Sequence, residues 1–155
     1  MSYVRHVLQP GETLLHESRI HWMIFIPSML LFLVAIAGFI VYAGVEAPDD
    51  AHILSYSLMA VGLVSGLVTF VAAWFRRWTT EVAVTDRRII YKHGFINRHT
   101  VEMNMDKVES VDVDQTVFGR MFDYGDITVR GTGSGIEPLR KIDSPIAFRN
   151  AVTAR

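Results

Sequence analysis

Residues 20–45 read IHWMIFIPSMLLFLVAIAGFIVYAGV and residues 53–75 read ILSYSLMAVGLVSGLVTFVAAWF. Neither run contains Asp, Glu, Lys or Arg, and at about 1.5 Å per residue each is long enough as a helix to cross a hydrocarbon core of roughly 30 Å. The pair reads as a membrane hairpin. After Phe75 charges recur every few residues and short alternating apolar patterns appear, so a small soluble domain follows the second helix. A cleaved signal peptide is the competing reading of the first run. It fits less well, because the run exceeds a signal h-region, no basic n-region abuts it, and a second span follows.

The whole chain has 155 residues, 50% of them hydrophobic and 20% charged, with a formal net charge of −1. Trp78–Arg155 holds eleven basic and eleven acidic residues, so bulk electrostatics gives no attraction to nucleic acid. Cysteine is absent, which removes disulfides, thiolate catalysis and thiolate metal sites and suits a reducing compartment.

Positive charge sets the expected orientation. The segment Glu46-Ala47-Pro48-Asp49-Asp50 between the runs has no Lys or Arg, whereas Arg5 and Arg19 precede the first run and Arg76 and Arg77 close the second. Both termini are expected in the cytoplasm, making the chain a multi-pass protein of the inner membrane. Aromatic residues mark the same boundaries, with Trp22, Phe25, Trp74 and Trp78 at the cytoplasmic edge and Tyr42 and Tyr56 at the outer one. The expected division is an N-terminal cytoplasmic segment 1–21, a two-helix transmembrane hairpin 22–77 and a cytoplasmic domain 78–155.

Small residues suggest where the helices meet. Gly62 and Gly66 form a Gly-x-x-x-Gly step flanked by Ser65 and Thr69, and Ala35 and Gly38 lie at similar depth on the first helix. This face is expected to close the hairpin, a dimerisation surface being the alternative. Pro27 is expected to kink the first helix. A mid-span carboxylate or Lys that would mark an ion path is missing.

In the N-terminal segment, Gln9-Pro10-Gly11-Glu12 is a turn signal and Thr13–Ile20 suits an extended strand or an interfacial helix, with a strand or loop packed on the cytoplasmic domain preferred. His6, His16 and His21 with Glu12 and Glu17 match no metal-ligand spacing, so no metal and no cofactor are expected. Beyond the hairpin, strands are expected over 78–85, 88–92, 95–103, 108–115, 126–130 and 136–142. Thr116–Phe122 suits one or two helical turns, and Ser144-Pro145 should start a terminal helix through Phe148 and Val152. The architecture is therefore a membrane α-hairpin plus a small, mainly-β, partly open barrel closed by a C-terminal helix.

The ordered set Pro10-Gly11-Glu12, His21-Trp22, Glu81–Ile90, Gly94-Phe95-Ile96, Glu102–Val113, Gly119-Arg120, Tyr124-Gly125 and Gly131-Thr132-Gly133 resembles the bacterial pleckstrin-homology (PH)-like, membrane-flanked domain family. The resemblance spans nearly the whole chain and implies a PH barrel facing the cytoplasm. It implies fold more than activity. Thr85-Asp86-Arg87 reads as a turn whose Asp bonds its own backbone, and Gly94 as a turn needing positive φ. Gly131–Gly135 invites a phosphate-loop reading, but no Lys-Ser or Lys-Thr and no helix follow it, so a strand connection is the better reading.

Arg76, Arg77, Arg87, Arg88, Lys92, Arg98 and Lys107 form a possible anionic-headgroup contact, diluted by Asp86, Glu102 and Asp106. The expected function is a non-enzymatic, membrane-anchored interaction or scaffold module that binds another membrane protein or its own copies. A lipid-headgroup sensor is the alternative. The sequence displays no nucleophile with a base, carboxylate pair or metal set to support an enzyme.

Overall fold

Strand β1 (Leu14–Arg19) lies antiparallel beside β2 (Glu81–Thr85), with Ser18 opposite Val82 and Arg19 opposite Glu81, although both apolar runs lie between them in sequence. The computed structural model describes residues 4–44, 49–94, 99–133 and 136–154, apart from the side chains of Arg5, His6, Asp49, Asp50, Ala51 and Glu137. Two units result: Met1–His21 together with Arg76–Arg155, and Trp22–Phe75.

The first unit is built from two antiparallel sheets. Sheet β1-β2-β3-β4 adds β3 (Arg88–His93) and β4 (His99–Asn104), and sheet β5-β6-β7 comprises β5 (Val108–Asp114), β6 (Tyr124–Gly131) and β7 (Ile136–Asp143). A bridge between Ile20 and Ile142 joins the sheets. Val82, Ala83 and Val84 are all fully buried, so both faces of β2 are covered. In β6 only alternate residues, Gly125, Ile127 and Val129, are buried, and the other face meets solvent.

Helix α5 (Pro145–Thr153) lays Phe148 and Val152 against β1, β5 and β6. Its Pro145 occupies the first turn, where a missing N–H is harmless, but Ser144 does not cap it: the Ser144 hydroxyl donates to Asp123 Oδ2 at 2.9 Å. The unit also holds the short helices α1 (Val4–Val7) and α4 (Val117–Met121) and a 3-10 turn at Met105–Lys107. The observed strands follow the expected ones with shifted ends. Trp78 and Thr79 are helical instead of extended, and β6 starts at Tyr124 instead of Asp126. Residues 95–98, placed by sequence at the start of β4, lie outside the described residues.

The second unit consists of a 3-10 turn at Trp22–Phe25, helix α2 (Ile26–Gly44) and the body of α3 (Asp49–Thr79). Both helices are long and apolar enough to cross a membrane. Pro27 falls in the first turn of α2, so the expected kink is corrected: the ring sits where the helix begins and breaks no interior hydrogen bond. A Cβ placed on Gly62 would stand 2.7 Å from the Ala35 nitrogen and 2.9 Å from the Leu31 oxygen. One on Gly38 would stand 3.0 Å from the Ser55 oxygen, and one on Gly66 would meet the Phe32 ring at 2.9 Å. Backbones therefore touch at Gly62, whereas Gly66 packs against a side chain.

Candidate functional site

Strand register sorts the basic residues by end. Lys92 pairs with Glu81 at the start of β2, close in sequence to Arg76 and Arg77, while Arg88 pairs with Asn104 at the opposite end of the sheet, where Arg87 and Lys107 also lie. Four residues of extended chain separate the ends by about 13 Å. Arg76, Arg77 and Lys92 thus share one end, Arg87, Arg88 and Lys107 share the other, and Arg98 lies outside the described residues.

At the far end Arg88 is engaged internally. Its side chain is 11% exposed; Nε and Nη2 donate to Glu12 Oε1 and Oε2 at 3.0 and 2.9 Å, Nη1 donates to Glu102 at 2.7 Å, and Nη2 also donates to the Val7 carbonyl at 2.9 Å. Glu12 also accepts from the Gln9 N–H at 2.7 Å and from the Thr85 hydroxyl at 2.8 Å. Burial alone would raise the Glu12 carboxyl, but the bonds from Arg88, Gln9 and Thr85, with the Arg88 charge, hold it down at about 2. Two motif pieces, Pro10-Gly11-Glu12 and Thr85-Asp86-Arg87-Arg88, are therefore one ion pair across 76 residues.

The expected turn chemistry is also redistributed. Thr85 Oγ1 accepts from the N–H groups of Arg87 and Arg88 at 3.3 and 3.0 Å, and Asp86 Oδ1 reaches across to the Thr13 N–H at 3.0 Å. Gly94 has the expected positive φ of 94°.

The near end holds a cavity of about 500 Å³ within the first unit. Its walls include Arg76, Thr80, Tyr91, His93 and, from β7, Leu139 and Arg140. Neither Arg76 nor Arg140 forms an ion pair among the described residues. His93 Nδ1 is buried without a hydrogen-bond partner among the described residues. Two guanidiniums, an imidazole and a threonine hydroxyl around one space can bind a phosphate-type anion by charge-assisted hydrogen bonds. Sequence reasoning named Arg76 but missed Arg140, because β7 reaches this wall only through tertiary folding.

The residues of the sequence-level histidine cluster are dispersed. His21 stacks on Tyr124 with ring centroids 5.3 Å apart, His16 meets the edge of Phe148 at 6.4 Å, and the His6 side chain lies outside the description. Burial lowers the His21 pKa, opposed by Asp143 and assisted by Arg77.

A family model described as "Bacterial PH domain" matches residues 24–155. The chain belongs to the bacterial PH domain family. No curated protein matches it. The matched region starts inside the first apolar run and takes in both long helices, strands β2–β7 and α5 of the PH fold. Strand β1 and Glu12 precede it, yet β1 completes the first PH sheet and Glu12 supplies the carboxylate that Arg88 needs. PH domains are interaction modules that commonly bind lipids or proteins.

Proposed function

We propose that this chain is a non-enzymatic PH interaction module of the inner membrane, with 22–77 as its transmembrane hairpin, both termini in the cytoplasm, and a protein partner or further copies of itself as its ligand. The observation that carries the reading is the insertion of the two apolar runs between β1 and β2, which are hydrogen-bonded neighbours. Ile20 is bridged to Ile142 and the next residue but one opens the apolar segment, while Thr80 leads directly into β2. The apolar segment is thus joined to paired strand at both ends within a residue or two, as a membrane-anchored platform requires. Many of its motif residues hold turns and strands together, which favours binding over catalysis. Carbonate-washed membranes should retain the full chain until detergent is added, and purification in mild detergent should yield an oligomer or a complex with a second membrane protein. Release by carbonate would refute the anchoring, and a lone monomer would refute the scaffold role.

The cationic cavity favours a second reading, anionic-headgroup binding, through Arg76 of the sequence-derived set and Arg140 in its wall, with Arg77 and Lys92 at the same end of the sheet but outside the lining. Full chain in zwitterionic nanodiscs should melt at a higher temperature when dihexanoyl phosphatidylglycerol is added, and Arg140→Gln should remove the shift. An equal shift with inorganic phosphate would assign the cavity to free phosphate instead. Equal shifts in wild type and variant would remove the cavity from consideration.

A further inference from the structure

The last turn before β6 gathers four exposed large apolar side chains within six residues, a clustering that no other segment of the folded unit shows among the described residues. In α4 and the residue after it, Val117 is 76% exposed, Phe118 62%, Met121 66% and Phe122 39%. Elsewhere in that unit only Leu15, Trp78 and Ile146 are comparably exposed large apolar residues among the described ones. The exposure is not a frayed end. Thr116 Oγ1 accepts from the Gly119 N–H at 3.0 Å, and Gln115 Nε2 donates to the Tyr124 carbonyl at 3.1 Å. A Cβ on Gly119 would stand only 2.6 Å from the Tyr124 oxygen, so a glycine forms the inner side of α4 and its large side chains are left outside.

The site's neighbours indicate what covers it. Tyr124 stacks on His21, whose N–H donates to the Lys141 carbonyl at 2.7 Å, and the residue after His21 is Trp22, where the apolar segment begins. Arg77, two residues past the second run, acts electrostatically on the same His21. The point at which the chain passes into the apolar segment therefore lies beside the Tyr124 that packs on α4, and the charge of Arg77, where the chain leaves it, is felt at the same His21. If the runs span the bilayer, His21 and Arg77 stand at its surface, and α4 stands with them.

We infer that α4 is an interfacial wedge: Val117, Phe118 and Met121 enter the boundary between headgroups and acyl chains of the bilayer that holds the hairpin. The inference rests on the membrane-anchored reading. An i, i+1, i+4 set lies on one side of a helix, and an exposed Arg120, with no ion pair among the described residues, suits a headgroup phosphate beside it. A helix this short offers far less than the roughly 800 Å² per partner of a stable protein interface, which sets lipid above a second copy.

The cysteine-free sequence permits a direct test in the full chain in lipid nanodiscs. Nitroxide labels would be placed singly by Phe118→Cys, Met121→Cys, Val64→Cys on the exposed face of α3 and Glu109→Cys on exposed β5, and their accessibility to oxygen compared with that to a water-soluble nickel complex. The labels at 118 and 121 should show an oxygen-to-nickel ratio several-fold above that at 109 and below that at 64. A ratio equal to that at 109, with 64 in lipid, would overturn the wedge and leave the anchoring intact. Protection at 118 and 121 from both reagents would overturn it in favour of a second copy. A label at 64 as open to nickel as 109 would overturn the anchoring and the wedge together.

Discussion

Glu12 and Arg88 form the most consequential pair of side chains in the folded unit. A carboxylate with no exposed side-chain surface is stable there only because Arg88, Thr85 and the Gln9 N–H all donate to it. Removing it leaves a largely buried guanidinium with Glu102 as its remaining carboxylate, so Glu12→Ala should lower unfolding stability by about 3 kcal/mol, read by denaturant titration. Holding the carboxyl at about 2 instead of 4.5 corresponds to on the order of 3 kcal/mol at neutral pH. Because the folded value is the lower one, that stability is complete above 4.5 and is lost as pH falls toward 2. His21, also lowered, adds a loss of the same sign below its ordinary 6.5. Thermal melting of wild type should decline through both windows, and Glu12→Gln should flatten the lower one alone. An unchanged lower window in Glu12→Gln would dissociate the acid sensitivity from this pair.

The two long helices were legible from composition alone, because an uncharged apolar run of that length is long enough to cross a membrane as a helix and helical periodicity is unnecessary to find it. Their contact was legible only in outline. Small residues at 35, 38, 62 and 66 share a face in sequence, but the closeness of Gly62 to the Ala35 backbone, against the softer contact of Gly66 with a phenyl ring, depends on how the helices cross. Gly62→Ala should therefore already destabilise the hairpin, by about 1 to 3 kcal/mol from overpacking, while Gly66→Ala should be milder because Phe32 can turn aside. Detergent melting of the two variants checks the order, and equal melting would place Gly62 away from the helix contact. Helix α4 was expected as one or two turns of helix, yet its exposed apolar side was not: exposure follows from Gly119 packing on the Tyr124 carbonyl, a close approach that residue types alone do not reveal.

At the scale of the molecule, alternation and turn residues revealed most strands, since Gly94 and the Thr85–Arg88 turn carry their conformational demands locally. The pairing of β1 with β2, the Glu12–Arg88 bond and the arrival of Arg140 beside Arg76 are long-range, and a single sequence gives no register between distant strands. The lack of any Lys or Arg within four residues of Glu12 was the one local sign that its partner lay elsewhere. What unites these features is a PH domain interrupted between two paired strands by an apolar segment, and its meaning depends on that segment crossing the membrane twice with the domain inside. Single cysteines introduced by Ala47→Cys and Thr153→Cys in the otherwise cysteine-free chain report this in intact cells with an impermeant thiol reagent. The cysteine at 47 should label at once and that at 153 only after permeabilisation. Labelling at 153 in intact cells, with 47 protected until the membrane is opened, would contradict the account.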